Sequence, residues 1–213
     1  MTVNPAPEAK TAILSTWLKA LLILRLVSLV TQLIGYLPLE LAWLPWVDAA
    51  LSALAILYLF QLGRANKRYR KSAVFSTVLF CYSLFNLVTS LFPAAYYKAL
   101  SNYEYGPLTV GILLPLLSLL SILAVYQEYH AHADEIKVLD PKLSGNWHVL
   151  FNYTLAGSIM RSAISWTVVL LVVEGYLNTS TADISRFLAG GIDFVLQLFY
   201  LVYLEKTTQT ICQ

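Results

Sequence analysis

Arg25, Arg161 and Asp193 each lie deep inside a long apolar run. A charged side chain at mid-bilayer costs at least about 2.5–3.5 kcal/mol on insertion scales, so such residues are expected to face other helices or water rather than acyl chains. Their neighbours repeat at helical spacing. Thr154, Ser158, Arg161 and Ser165 form one stripe, and Gly190, Asp193, Gln197 and Tyr200 form another. Ser83, Asn86 and Ser90 make a third, and Arg25, Ser28 and Gln32 a fourth. Converging stripes would line a polar interior able to hold a small polar or anionic solute. Arg161 would supply positive charge, Asp193 a counter-charge or titrating carboxylate, and Asn86, Gln197 and Tyr200 hydrogen bonds, with Arg25 a further ligand candidate. A second reading makes Arg161 and Asp193 a structural ion pair and the small hydroxyl residues contacts of close helix packing.

All three histidines, His130, His132 and His148, fall in one polar segment. There Glu128, His130, His132, Asp134 and Glu135 bring two imidazoles and three carboxylates within eight residues. These are the usual ligands of zinc, manganese or iron. Their spacing opposes a ready-made metal centre, because residues two apart on a helix point about 200° away from each other. Glu128 with His132, or His130 with Asp134, would pair at one helical turn. The segment is therefore read as a solvated helix end, with His130, His132 and Asp134 only weak metal candidates. Asp140 and Pro141 read as a turn, and Leu143 to Trp147 as a return to the membrane interface.

The elements that must position these residues follow from composition. The 213-residue chain is 58% hydrophobic and 12% charged, whereas globular domains carry roughly 45–50% apolar and about 25% charged residues. Apolar runs long enough to span a bilayer as helices occur at about 12–37, 41–62, 72–97, 107–129, 149–177 and 187–204. The expected fold is an all-α, polytopic transmembrane bundle of about six spans over residues 12–205, with tails at 1–11 and 206–213. Pro38, Pro45, Pro93, Gly106, Pro107, Pro141 and Gly145 mark boundaries, and Pro115 is expected to kink the fourth helix. A five-span chain, with the first segment lying on the surface because of Lys19 and Arg25, is the alternative.

Arg64, Lys67, Arg68, Arg70, Lys71, Lys10, Lys137, Lys142 and Lys206 lie on one side, against Lys98 and Arg186 on the other. This bias places both termini in the cytosol, as in a multi-pass plasma-membrane protein. Asp48 and Glu174 read as outer-boundary residues, and Trp17, Trp43, Trp46 and Trp147 as an aromatic belt. The first run is too long for a secretory h-region and is expected to stay as a span. Cys81 reads as a core filler and Cys212 as a tail residue, with no disulfide framework. Asn178, Thr179 and Ser180 form a glycosylation sequon on the expected outer side.

The net charge of +2 gives no support to a nucleic-acid partner. The sequence has no phosphate-binding GxxxxGK[ST], HExxH or GxSxG motif, and no cofactor is implied. Any ATP-driven activity would need a separate energising subunit. In span count, size and orientation the chain resembles the small substrate-binding subunits of energy-coupling-factor importers and several six-span exporter families. That resemblance is architectural and carries no functional residue across. The leading expectation is a transport-type component with the lipid bilayer and a small solute as partners. The runner-up is a non-catalytic subunit, regulator or scaffold acting through a partner membrane protein, and a metal-dependent membrane enzyme is third.

Overall fold

The computed structural model describes residues 7–35, 41–91, 114–173 and 179–212. They form six α-helices: α1 (Pro7–Gly35), α2 (Leu44–Leu62), α3 (Lys67–Ser90), α4 (Leu114–Ile136), α5 (Pro141–Val173) and α6 (Thr179–Cys212). Among the described residues three stretches, Lys10–Gly35, Leu44–Leu62 and Lys67–Thr89, are long and apolar enough to cross a membrane.

Local chemistry sets the helix starts. Pro45 occupies the first turn of α2, where its missing N–H removes no helical bond. Asn66 is extended, and its side chain accepts from the Arg68 N–H at 2.9 Å, capping α3. Asp140 does the same for α5 through the Leu143 N–H at 2.9 Å. Asp140 and Pro141 thus open a helix eight residues before the expected fifth span.

Neighbours along the chain pack as neighbours in space, and α1 against α6 closes the ring, with α4 also touching α6. Lys10 at the start of α1 pairs with Glu135 near the end of α4 at 2.9 Å. Asn66 at the start of α3 donates to Glu135 at 2.8 Å, and Ser144 near the start of α5 donates to the Ala133 carbonyl at 3.0 Å. Trp147 of α5 bonds Thr207 near the end of α6. The helices therefore alternate in direction, and the starts of α1, α3 and α5 share one end with the ends of α2, α4 and α6.

The buried core gathers at that shared end, in Leu14, Leu18 and Leu21 of α1, Leu59 and Leu62 of α2, and Tyr69 and Ala73 of α3. Ile136, Trp147 and Leu204 continue it. At the other end Ile23, Leu26, Val30, Leu119, Ile159, Met160 and Val195 are exposed, as suits an acyl-chain environment.

Several sequence expectations need correction. Trp147 is fully buried rather than interfacial, because its ring packs against side chains of two other helices, Tyr129 and His132 of α4 and Tyr200 and Tyr203 of α6. Cys81 is exposed rather than a core filler. Helix α6 runs through 206–212, where Thr207 and Ile211 are buried, and α1 begins at Pro7. The kink expected at Pro115 falls at the edge of the described residues. Pro38, Pro93, Lys98, Gly106, Pro107, Glu174 and Asn178 lie outside them, as do the side chains of Ser90, Ser165, Thr179, Ser180 and Arg186.

The α2–α3 turn is tight for reasons of space. A Cβ at Gly63 would meet Arg70 Cβ at 2.8 Å and the Arg70 backbone nitrogen at 3.1 Å, and backbone cannot move aside cheaply. Gly63→Ala is expected to lower the unfolding free energy by about 1–3 kcal/mol. Gly145→Ala, with nothing within 4 Å, should be neutral or slightly stabilising. Thermal unfolding in detergent measures both, and equal stability of Gly63→Ala and wild type would contradict this packing.

Candidate functional site

At the closed end, five helices contribute to one buried polar cluster. Glu128 on α4 receives both hydrogen bonds of an Arg25 amino group, at 3.3 and 3.4 Å, and the Tyr200 hydroxyl of α6 at 2.6 Å. The Glu128 side chain is 6% exposed and that of Arg25 36%. A carboxylate this buried needs charge-assisted donors, and it has two. The Arg25 guanidinium also lies 5.7 Å from the centre of the Tyr200 ring.

His132, one turn beyond Glu128, is fully buried. Its Nδ1 lies 2.8 Å from the Tyr69 hydroxyl of α3 and its Nε2 3.5 Å from the Tyr200 oxygen. The Tyr200 proton is committed to Glu128, so Nε2 is the nitrogen that carries hydrogen, and Nδ1 accepts from Tyr69. The imidazole is stacked on Trp147 at 4.5 Å, and the Trp147 ring nitrogen donates to Thr207 at 2.9 Å. Burial lowers the pKa of His132 to about 4, Glu128 opposing the shift and Arg25 adding to it. The ring is thus neutral at physiological pH.

The segment read as a solvated helix end is consequently part of the core. Its charged rim is elsewhere: Asp134 pairs with Arg68 at 2.7 Å, and Glu135 is held by Lys10 and Asn66. His130 turns to the Tyr126 carbonyl at 2.8 Å, with its ring 4.6 Å from that of His148. Burial, more than neighbouring charges, lowers its pKa. His130, His132 and Asp134 therefore diverge. Among the described residues no three His, Cys, Asp or Glu side chains are placed to share a metal ion.

Beyond this cluster the bundle opens into clefts. One, of about 370 Å³, lies between α1, α2 and α3. Its polar lining is Arg25, Asp48, Ser52, Ser76 and Ser83, and Ile56, Leu59, Leu79, Phe80 and Leu87 form apolar walls. A second, of about 400 Å³, lies between α3, α4 and α5 and is lined by Tyr82, Ser118, Ser121, Ser158, Arg161 and Ser162.

The six candidate ligands divide accordingly. Arg25 and Tyr200 meet through Glu128. Arg161 and Asp193 form an ion pair between α5 and α6, 45% and 31% exposed. Gln197, half-buried, lies between Asp193 and Tyr200 on the same face of α6, while half-buried Asn86 is on α3. Thr154 bonds back to the Leu150 carbonyl of its own helix at 2.9 Å, which accounts for that hydroxyl without a ligand. Nothing in the spacing of Tyr69 or Trp147 marks them as members of the cluster. Glu128, at the end of the expected fourth span, pairs with His132 by spacing, and Glu128, His132 and Glu135 continue the same steps of four and three.

Compared with protein-family models, curated proteins and solved structures, the chain matches none.

The His132 environment sets a pH dependence. Between about 4 and the ordinary value of 6.5 the unfolded chain binds a proton that the folded chain does not, so stability falls as pH is lowered through that window. The contribution is on the order of 3 kcal/mol and is complete above pH 6.5. Unfolding of wild type and His132→Gln from pH 7.5 to 4 should show the steeper loss in wild type. Parallel profiles would contradict this burial, since they require the imidazole to bind its proton equally in the folded and unfolded chains.

Proposed function

We propose that the chain is a six-span membrane protein of transport type, with both termini cytosolic, that binds a small polar or anionic solute between α1, α2 and α3. The observation that carries this reading is the position of Arg25. It sits midway along an apolar helix, is tied to Glu128 on the closed side, and lines the cleft that also holds Asp48, Ser52, Ser76 and Ser83. A guanidinium there is tolerated only where water, a counter-charge or a ligand can reach it.

The polarity of the bundle supports the direction. Arg64, Lys67, Arg68, Arg70 and Lys71 cluster at the turn between α2 and α3, at the end closed by the aromatic cluster. That end would face the cytosol and the clefts would open toward the outer half. Movement of a solute against its gradient would need an ion gradient or an energising partner, since the sequence carries no nucleotide-binding motif.

A scaffold reading draws on the other cleft. The Arg161–Asp193 pair ties α5 to α6, and a Cβ on Gly157 would meet Leu196 at 2.8 Å. This is the close packing that a purely structural polar face would serve.

Thiol labelling separates the two. In a Cys81→Ser, Cys212→Ser background, Ser76→Cys and Ser83→Cys on the cleft wall should react many-fold faster with a charged methanethiosulfonate than Val78→Cys, an exposed apolar position. The reagent attacks thiolates, which form in water and not in acyl chains. Equally slow reaction at all three positions would rule out a wet chamber.

A further inference from the structure

The chemistry of the α1–α2–α3 cleft narrows the solute class, on the reading just given. Its charges are one guanidinium and one carboxylate, and they are differently committed. Arg25 is compensated from the closed side by Glu128. Asp48 is exposed, lines the same cleft, and has no ion-pair partner among the described residues.

The two charges are also close in height. Helices α1 and α2 are antiparallel, with Trp17 on Tyr58 at 5.4 Å between ring centres and the Cβ direction of Gly35 reaching Leu44 at 3.2 Å. Interpolating between these contacts sets Arg25 opposite about Ser52, one helical turn, or about 5.4 Å, below Asp48. Two opposite charges separated by a turn, both bordering one cleft, match the two ends of a compact ampholyte.

We propose that this cleft binds a zwitterion with an apolar body, of the kind represented by a leucine-sized α-amino acid. Its carboxylate would lie on Arg25, its ammonium on Asp48, and its side chain against Leu79, Phe80 and Leu87. A simple anion would bring a third negative charge to a site where Glu128 already balances Arg25 and Asp48 stands unpaired. A simple amine would find Asp48 but would offer no carboxylate to the cleft side of the Arg25 guanidinium. A zwitterion adds one charge of each sign, and each meets its complement. The volume is within the range of small-molecule sites, about 300–1,000 Å³.

The test uses the full chain in lipid nanodiscs and calorimetric titration with L-leucine, isoamylamine and 4-methylvalerate, which share a carbon skeleton and differ in charged groups. Leucine should bind, and each single-headed analogue should bind about tenfold more weakly or worse, because a site built around a charged group penalises its loss. Asp48→Asn, at an exposed position remote from the buried aromatic cluster, should weaken leucine by a similar factor and leave 4-methylvalerate binding as well as before or better, since it removes a like charge. Equal binding of leucine and 4-methylvalerate, untouched by Asp48→Asn, overturns the zwitterion and leaves an anion chamber. Isoamylamine binding as tightly as leucine overturns it in favour of a cation site. If none of the three binds while Ser83→Cys labels rapidly, the zwitterion falls and the chamber stands. If Ser83→Cys is also unreactive, both fall.

Discussion

The cost of keeping a guanidinium and a carboxylate out of water organises this molecule. Arg25 and Glu128 come from helices far apart in the chain, and the Glu128 carboxylate, the more buried of the two, is not tolerable there without a cationic donor. Pairing alone leaves donors and lone pairs unspent. Tyr200 supplies Glu128 with a third hydrogen bond, and His132 and Tyr69 continue the chain of donors and acceptors to α3. One ion pair thus recruits α1, α3, α4 and α6, and the stacking of His132 on Trp147 adds α5.

This arrangement gives the bundle two unlike halves. At the end that carries the chain's start, rings and hydroxyls are matched closely enough to exclude solvent, and Lys10, Glu135, Asn66, Arg68 and Asp134 tie the helix ends around them. Toward the other end, exposed aliphatic side chains alternate with serine-lined clefts. A tight floor beneath an open polar cleft suits a protein that receives a solute from one side. Arg25 belongs to both halves, since the same side chain that satisfies Glu128 borders the cleft.

Part of the helical layout was readable from hydropathy: among the described residues, three of the six helices carry stretches long and apolar enough to cross a membrane. Arg161 and Asp193 were also legible as partners: both stand out against apolar neighbours, and they do pair. What they do not do is converge with Arg25 and Tyr200, since spacing along a helix gives its face but not which face it meets. The Glu128–His132 spacing was legible too, but its burial was hidden for a different reason. Polar residues beyond a hydrophobic run look like surface by composition, and only the tertiary contacts of Tyr69, Trp147 and Tyr200 make that turn an interior. Trp147 misled in the same way, because an indole near a span end is interfacial or buried according to neighbours that sequence does not supply.

The central claim is that the cleft beside Arg25 is a polar compartment rather than a gap filled by lipid. A density map of the protein in lipid nanodiscs, at a resolution that separates water from acyl chains, addresses it directly. Ordered water or solute density against Arg25, Ser52 and Ser76 is the predicted result. Continuous acyl-chain density running between α2 and α3 to Leu59, with Arg25 drawn wholly toward Glu128, would contradict it.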